Sequence, residues 1–185
     1  MAEKIMRRVA GYHDVRLDGI LDLVTRCRDA SVFDAGCNRG LVCFELANNG
    51  AAMVHGCDNE PSVIRTAREL FADLRNVESQ FEVVDLTKGP APLTAVFRPK
   101  YDITLMLATY HKLKRAMPAE DLTRLVRYLG GATRQFFAWR GTSDKHAENN
   151  DEIAVLDRDL GSVGLRRIHT STISIELGAA AIWAR

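Results

Sequence analysis

Short apolar runs alternate along this chain with longer amphipathic stretches. Ser31–Phe33, Met53–Cys57, Gln80–Val84, Tyr101–Leu107 and Arg134–Trp139 are brief and largely apolar, the pattern of strands buried on both faces. Between them the apolar positions fall three and four apart. Gly40–Asn48 carries Leu41, Val42, Phe44 and Leu46, and the stretch opened by Glu60-Pro61 carries Val63, Ile64, Ala67, Leu70, Phe71 and Leu74. Pro118–Leu129 carries Leu122, Leu125, Val126 and Leu129. This spacing predicts helices. Val15, Ile20, Leu21, Leu23 and Val24 predict another within VRLDGILDLVTRCR, and Glu152–Leu160 one more after a polar loop at 140–150. LTKGPAPLTAVFRPK is broken by proline and glycine and reads as loop around a short helical turn. Leu165–Ser171 and Ala179–Trp183 close the chain as two further strands.

Strands alternating with helices predict an α/β fold, a largely parallel sheet covered on both faces. In such open sheets ligands bind beyond the carboxyl ends of the strands. Three aspartates stand at those ends: Asp34, Asp58 and Asp85, after the first, second and third strands. One Asp-Gly after a strand is ordinary turn and capping chemistry. Three consecutive strands ending in aspartate are harder to explain by turns alone.

Composition narrows the classes. The 185 residues suit one domain with a sizeable core. A net charge of +1 gives no overall basic footprint for nucleic acid. No run approaches the ~20 apolar residues of a membrane span, and the start, MAEKIMRRVAGYHD, lacks a signal-peptide core. A cytoplasmic location is the expectation, with no membrane partner. Cys27, Cys37, Cys43 and Cys57 form no CxxC pair and no zinc spacing, so they read as small buried hydrophobes in a reducing compartment. No metal-ligand spacing joins the histidines, and no metal is expected.

The turn after the first strand is Asp34-Ala35-Gly36-Cys37-Asn38-Arg39-Gly40. A dinucleotide site needs G-x-G-x-x-G there, so that backbone can approach a pyrophosphate. Asn38 stands where the middle glycine would be. An aspartate two residues before the first glycine also opposes a phosphate: at ~4 Å and an effective dielectric of ~20, like charges cost about 4 kcal/mol. A ligand with cationic groups removes that conflict.

VFDAGCNRG resembles the first motif of class I S-adenosylmethionine-dependent methyltransferases, a hydrophobic strand followed by D/E-x-G-x-x-x-G. The resemblance covers about residues 30–185. It implies a three-layer α-β-α sandwich with a seven-stranded, mostly parallel sheet whose last strand is antiparallel. It implies one methyltransferase domain over 1–185, with 1–30 as a helical lid segment and 31–185 as a Rossmann-like core. S-adenosylmethionine is the implied cofactor and S-adenosylhomocysteine the product. By resemblance Asp34, Gly36, Cys37, Asn38 and Gly40 form the wall around the amino-acid part. Asp58 and Asn59 meet the ribose, and Asp85 with Leu86 meets the adenine. YDITLMLATYHKL, with Leu107 at its strand end, is similar to the segment that faces both cofactor and acceptor. RQFFAWRGT fits the fifth strand and IHTSTISIELGAAAIWAR the final antiparallel pair. The glycine often found between the two loop glycines is replaced by Asn38-Arg39.

Methyl transfer asks the protein for alignment and desolvation, and a hydroxyl or ammonium acceptor must also lose a proton. Within ATYHKLKR, taken as the loop after the fourth strand, His111 is the candidate base, Tyr110 a packing or donor group and Lys112 a holder of an anionic acceptor. Trp139 and Arg140 are candidates to line the acceptor side. Tyr12 and His13 are candidate lid residues, His55 a core residue, and His146 and His169 weaker candidates. The first expectation is a methyltransferase acting on an O or N atom of a small molecule. RNA is the alternative acceptor, carried by Lys112, Lys114, Arg115, Arg124 and Arg127. A non-catalytic binding subunit and a dinucleotide oxidoreductase are the remaining alternatives. A homodimer that completes the lid is compatible with so short a chain.

Overall fold

The computed structural model describes residues 17–141, 146–174 and 178–185. A short helix, α1 (Leu21–Arg26), leads into β1 (Ser31–Ala35), α2 (Leu41–Asn48), β2 (Met53–Asp58), α3 (Pro61–Phe71) and β3 (Glu78–Val83). A 3₁₀ turn (Leu86–Lys88) and α4 (Ala91–Val96) precede β4 (Tyr101–Leu107). Then come α5 (Tyr110–Ala116), α6 (Ala119–Ala132), β5 (Thr133–Arg140), α7 (His146–Gly161), β6 (Arg166–Ser174) and β7 (Gly178–Ala184). The strands form one seven-stranded sheet in the order β3-β2-β1-β4-β5-β7-β6. β1 to β5 pair in parallel, and β7 runs antiparallel to both β5 and β6.

The sheet is buried on both faces because its strands present apolar side chains to each. In β4, Ile103, Leu105 and Leu107 face a core completed by Leu23 of α1, Phe44 of α2 and Ile64 of α3. Tyr101 and Met106 face the opposite core, with Leu113 of α5, Leu125 of α6 and Leu156 of α7. Two cores on two faces make the three layers that the sequence predicts.

Local chemistry explains several boundaries. Pro61 opens α3, and Glu60 caps it by accepting from the Ser62 amide at 3.1 Å. Gly40, at φ +70°, ends the turn before α2 in a left-handed conformation that suits glycine. The helix expected across 15–28 is shorter. Leu17 sits in a 3₁₀ turn before α1, and Leu17, Ile20, Leu23 and Cys27 are buried in the core; Val15, Tyr12 and His13 lie outside the described residues. The segment 110–116, taken as loop, is helix. Its apolar and polar positions fit a helical face, but two turns are too few for the periodicity to declare itself. α7 also begins earlier than expected, at His146.

Candidate active site

The parallel strands β1 to β5 all end on one edge of the sheet, and a cavity of about 340 Å³ opens there. That is the lower end of the range for small-molecule sites. Of the sequence-predicted residues, Asp34, Gly36, Cys37, Asn38, Asp58, Asn59, Asp85, Leu86 and Leu107 line it. Gly40 does not; it supports the turn from behind, where a Cβ would press on Ala67 at 3.1 Å.

The loop after β1 is held to the neighbouring strand by its own amides. Gly36 and Cys37 both donate to the Cys57 carbonyl, at 2.9 and 2.8 Å. Asn38 donates to Asp58 Oδ2 at 3.1 Å, Arg39 to the Asn38 side chain at 2.8 Å and Gly40 to the Cys37 carbonyl at 2.9 Å. Every loop amide from 36 to 40 is therefore engaged within the protein. A pyrophosphate site needs those amides turned toward the ligand. This loop offers a ligand carboxylates instead.

Backbone conformation forces the close fit. Gly36 has φ +90°, and a Cβ there would collide with the Thr109 side chain. Gly56 in β2 is equally tight, since a Cβ would lie 2.7 Å from that of Cys37. Two non-glycine residues beside the cavity also have positive φ, Asn38 at 50° and Ala108 at 56°. Asparagine tolerates this region; for alanine it is strain, held at the turn from β4 into α5 by the Ala108 amide donating to the Arg140 carbonyl at 2.9 Å.

The three acids differ. Asp34 is buried, and burial pushes its carboxyl up to about 7, against the lowering effects of the Cys43 thiol and nearby Arg140. Cys43 donates to Oδ2 over 3.8 Å, while Oδ1 has no partner among the described residues. A buried acceptor without a donor suits a ligand that brings one. Asp58 is half-buried and accepts from the Glu60 amide as well as from Asn38; a carboxylate has about four acceptor sites, so two remain. Asp85 caps the 3₁₀ turn through Oδ1, which accepts from the Thr87 amide and hydroxyl at 2.9 and 2.6 Å. Those bonds hold its carboxyl below its ordinary value.

Helical phase decides the other wall. Thr109, Lys112, Leu113 and Ala116 line the cavity, at spacings of three and four that form one face of α5. Tyr110 and His111, expected at the reacting groups, are not among the residues that line it. Tyr110 is buried with Leu122 and Leu156 in the core, and burial beside Glu152 and Asp159 pushes its hydroxyl up to about 12. His111 is half-buried, and burial with Lys112 and Arg115 nearby lowers its pKa. Trp139 is fully buried in the core, while its neighbour Arg140 lines the cavity. His55 is a core residue with Nδ1 2.8 Å from the Tyr101 hydroxyl. His169 borders a separate shallow hollow beside β6. The cysteines are free and buried, as expected; burial keeps Cys37, Cys43 and Cys57 as neutral thiols, Cys57 at about 12.

The sequence reading missed Thr109 and Arg39 on the cavity wall. Gly36 is the signal for Thr109: a glycine demanded at a strand end implies a neighbour pressed against it.

The sequence matches a family of methyltransferase domains over residues 32–130, more than half of the chain. No curated protein sequence matches it. Among solved structures it is similar to magnesium protoporphyrin IX methyltransferase from Synechocystis with bound S-adenosylmethionine, at 21% identity and TM-score 0.65, covering 97% of this chain and 89% of that one. It is also similar to the N-methyltransferase NodS from Bradyrhizobium japonicum (12%, TM-score 0.65, covering 89% and 91%). A methyltransferase from Haloferax volcanii in complex with the Trm112 activator is a third (13%, TM-score 0.67, covering 96% and 92%). The orphaned acceptor of Asp34 and the acids beyond it fit a cationic nucleoside. The chain belongs to the methyltransferase-domain family, and it shares its fold with structures of S-adenosylmethionine-dependent methyltransferases.

Proposed function

We propose that the protein methylates an oxygen or nitrogen atom of a small molecule. Asp34 answers the ammonium of the donor, Asp58 and Asn59 its ribose hydroxyls, and Asp85 with Leu86 its adenine. Gly36, Cys37, Asn38 and Gly40 shape the loop between them, and Leu107 closes the wall. The bound donor supplies an already activated methyl carbon; this chain's residues align the acceptor and exclude water. Tyr110 and His111 are assigned to the support of α5 and to no proton transfer. The observation that carries the reading is the pairing of a loop whose amides are all engaged with a buried carboxylate whose Oδ1 has no described partner.

The RNA reading has less support. Of the five basic positions behind it, Lys114 pairs with Glu152, Arg124 with Asp121 and Arg127 with Asp159. Charges engaged within the protein contribute little to a phosphate footprint. Among the described residues no helix is long and apolar enough to cross a membrane, and four free buried cysteines suit a reducing compartment; we assign the cytoplasm.

Calorimetric titration with S-adenosylhomocysteine, with NADH in parallel, tests the reading. Binding of the first and not the second, weakened in Asp58→Ala, is the expected result. A folded protein that binds NADH and not S-adenosylhomocysteine overturns it.

A further inference from the structure

Charge is sorted along the carboxyl edge of the sheet. In spatial order the cavity wall carries Asp85 after β3, Asp58 at the end of β2 and Asp34 in β1, then Lys112 beyond β4 and Arg140 at the end of β5. Arg39, exposed at the mouth on the glycine loop, is the exception. Lys112 is exposed and Arg140 buried, so the basic half has one cation at its rim and one at its base.

Among the described residues the basic half also lacks a proton acceptor. Among the described residues lining the cavity there is no histidine or tyrosine. Cys37 is a neutral thiol. The carboxylates among these residues all belong to the β1–β3 half, where Asp58 and Asp85 accept from backbone amides and the buried Asp34 is assigned to the ammonium of the donor. An alcohol or ammonium acceptor placed over β4 and β5 would meet, among the described residues lining the cavity, no group to take its proton. An acceptor that is already an anion needs none.

We infer that the acceptor is a small-molecule carboxylate, held by Lys112 and Arg140 and converted to its methyl ester. This rests on the methyltransferase reading of the cavity. A lone pair of one carboxylate oxygen forms the new carbon–oxygen bond as the methyl carbon–sulfur bond breaks, and that bond's electron pair stays on sulfur. A cation and an anion become a neutral thioether and a neutral ester, and no proton moves. Arginine and lysine can hold the anion through its remaining lone pairs. Both interactions weaken when the ester forms, because the charge they grip is gone, and the product leaves more readily than the substrate.

The experiment has three readouts on the full-length protein. Calorimetry with S-adenosylhomocysteine establishes the donor site. Next, the protein is incubated with methyl-labelled S-adenosylmethionine and a protein-free small-molecule extract of yeast, divided by ion exchange into anionic, neutral and cationic fractions. Label in esters is released by alkali as volatile methanol, whereas methyl ethers and methylamines keep it. Third, melting of the S-adenosylhomocysteine-saturated protein is followed with each fraction, an equilibrium readout independent of turnover.

The expected result is alkali-labile label from the anionic fraction only, together with a raised melting temperature in that fraction. Lys112→Met should lower labelling by roughly tenfold, the scale of one charge-assisted hydrogen bond, with S-adenosylhomocysteine affinity unchanged and recovery in Lys112→Arg. Alkali-stable label, label from the neutral or cationic fractions, or indifference to Lys112→Met overturns the carboxylate assignment. So does the absence of any label from the anionic fraction by a protein that binds S-adenosylhomocysteine; the methyltransferase reading survives that result. A folded protein that binds no S-adenosylhomocysteine overturns the underlying reading instead.

Discussion

The two halves of the cavity are built by different means. On the β1–β3 half Asp58, Asp85 and the glycine loop are fixed by hydrogen bonds to residues a step or two along the chain or on the adjacent strand end. Asp85 bonds the Thr87 amide, Asp58 the Glu60 and Asn38 amides, and the loop amides close on Cys57. On the β4–β5 half the positions come from the phase of a two-turn helix and from packing: Lys112 faces the cavity because Thr109, Leu113 and Ala116 do, and Tyr110 turns into the core. The first half is a set of local bonds, and the second is a consequence of how α5 is seated. Strand-end acids with a glycine turn can therefore be read from a sequence, whereas a helix face must be seen.

The halves touch at Gly36 and Thr109, and the largest effect is expected there. Gly36→Ala places a Cβ into the Thr109 side chain at a left-handed φ. The backbone cost is about 1–2 kcal/mol and overpacking adds about 1–3 kcal/mol. Chemical denaturation should show both, with S-adenosylhomocysteine binding lost. Adding Thr109→Ala removes the collision and leaves the backbone cost, so the double variant should recover about 1–3 kcal/mol over the sum of the two single changes. Strict additivity would mean that the halves are not in mechanical contact.

A second effect should stay on one side. Asp58→Ala removes acceptors for ribose hydroxyls, each charge-assisted bond contributing about 1.5–3 kcal/mol. Roughly tenfold to a few hundredfold weaker S-adenosylhomocysteine binding is expected by calorimetry. The affinity of the donor-saturated protein for acceptor should be unchanged. A parallel loss of acceptor affinity would break the division into two halves.

Legibility in the sequence followed the same division. The sheet, its seven strands and the three terminal acids were readable because short apolar runs and the aspartates that follow them are written within a few residues. β4, Tyr101–Leu107, begins and ends where the apolar run does. The phase of α5 was not readable. ATYHKLKR holds a Tyr, a His and two Lys within five residues, and any of them looks chemical until Tyr110 and Leu113 are seen packed in one core and Lys112 on the cavity wall. His111 was the natural candidate by chemistry, yet it is Lys112 that lines the cavity. Arg140 was in view because it follows an apolar strand, yet its side of the sheet was decided only by the register of β5 on β4, Leu107 opposite Arg140.

The pH dependence of Asp34 separates the halves more gently. In the free protein burial pushes its carboxyl up to about 7, above the ordinary carboxylate range. A raised carboxyl means that the folded state holds the proton more tightly than the unfolded chain. This contribution to stability is full below the unfolded value and is lost as pH rises through about 7. Donor binding has the opposite sign, because an ammonium selects the ionised carboxylate. S-adenosylhomocysteine affinity should therefore fall as pH drops below about 7, by up to roughly tenfold per unit. Apo melting and ligand-induced stabilisation should move in opposite directions across that range, and Asp34→Asn should flatten both. A flat affinity profile in the wild type would mean that the cation sits elsewhere on the wall.

The smallest expected effect is the sharpest test of the β4–β5 half. His111→Gln removes the only imidazole in α5, whose pKa is lowered by burial and by Lys112 and Arg115. Absent from the cavity wall, it should have little effect on turnover. Turnover should change by no more than about twofold, within the ±0.5 kcal/mol typical of substitutions away from critical contacts, and the pH–rate profile should keep its shape. A tenfold fall in kcat with S-adenosylhomocysteine affinity intact and a lost basic limb would mean something definite. α5 would have to turn by about one residue, ~100°, when an acceptor enters, replacing Lys112 at the wall with His111. The basic half would then be a moving part, and an acceptor that must lose a proton would become the better fit.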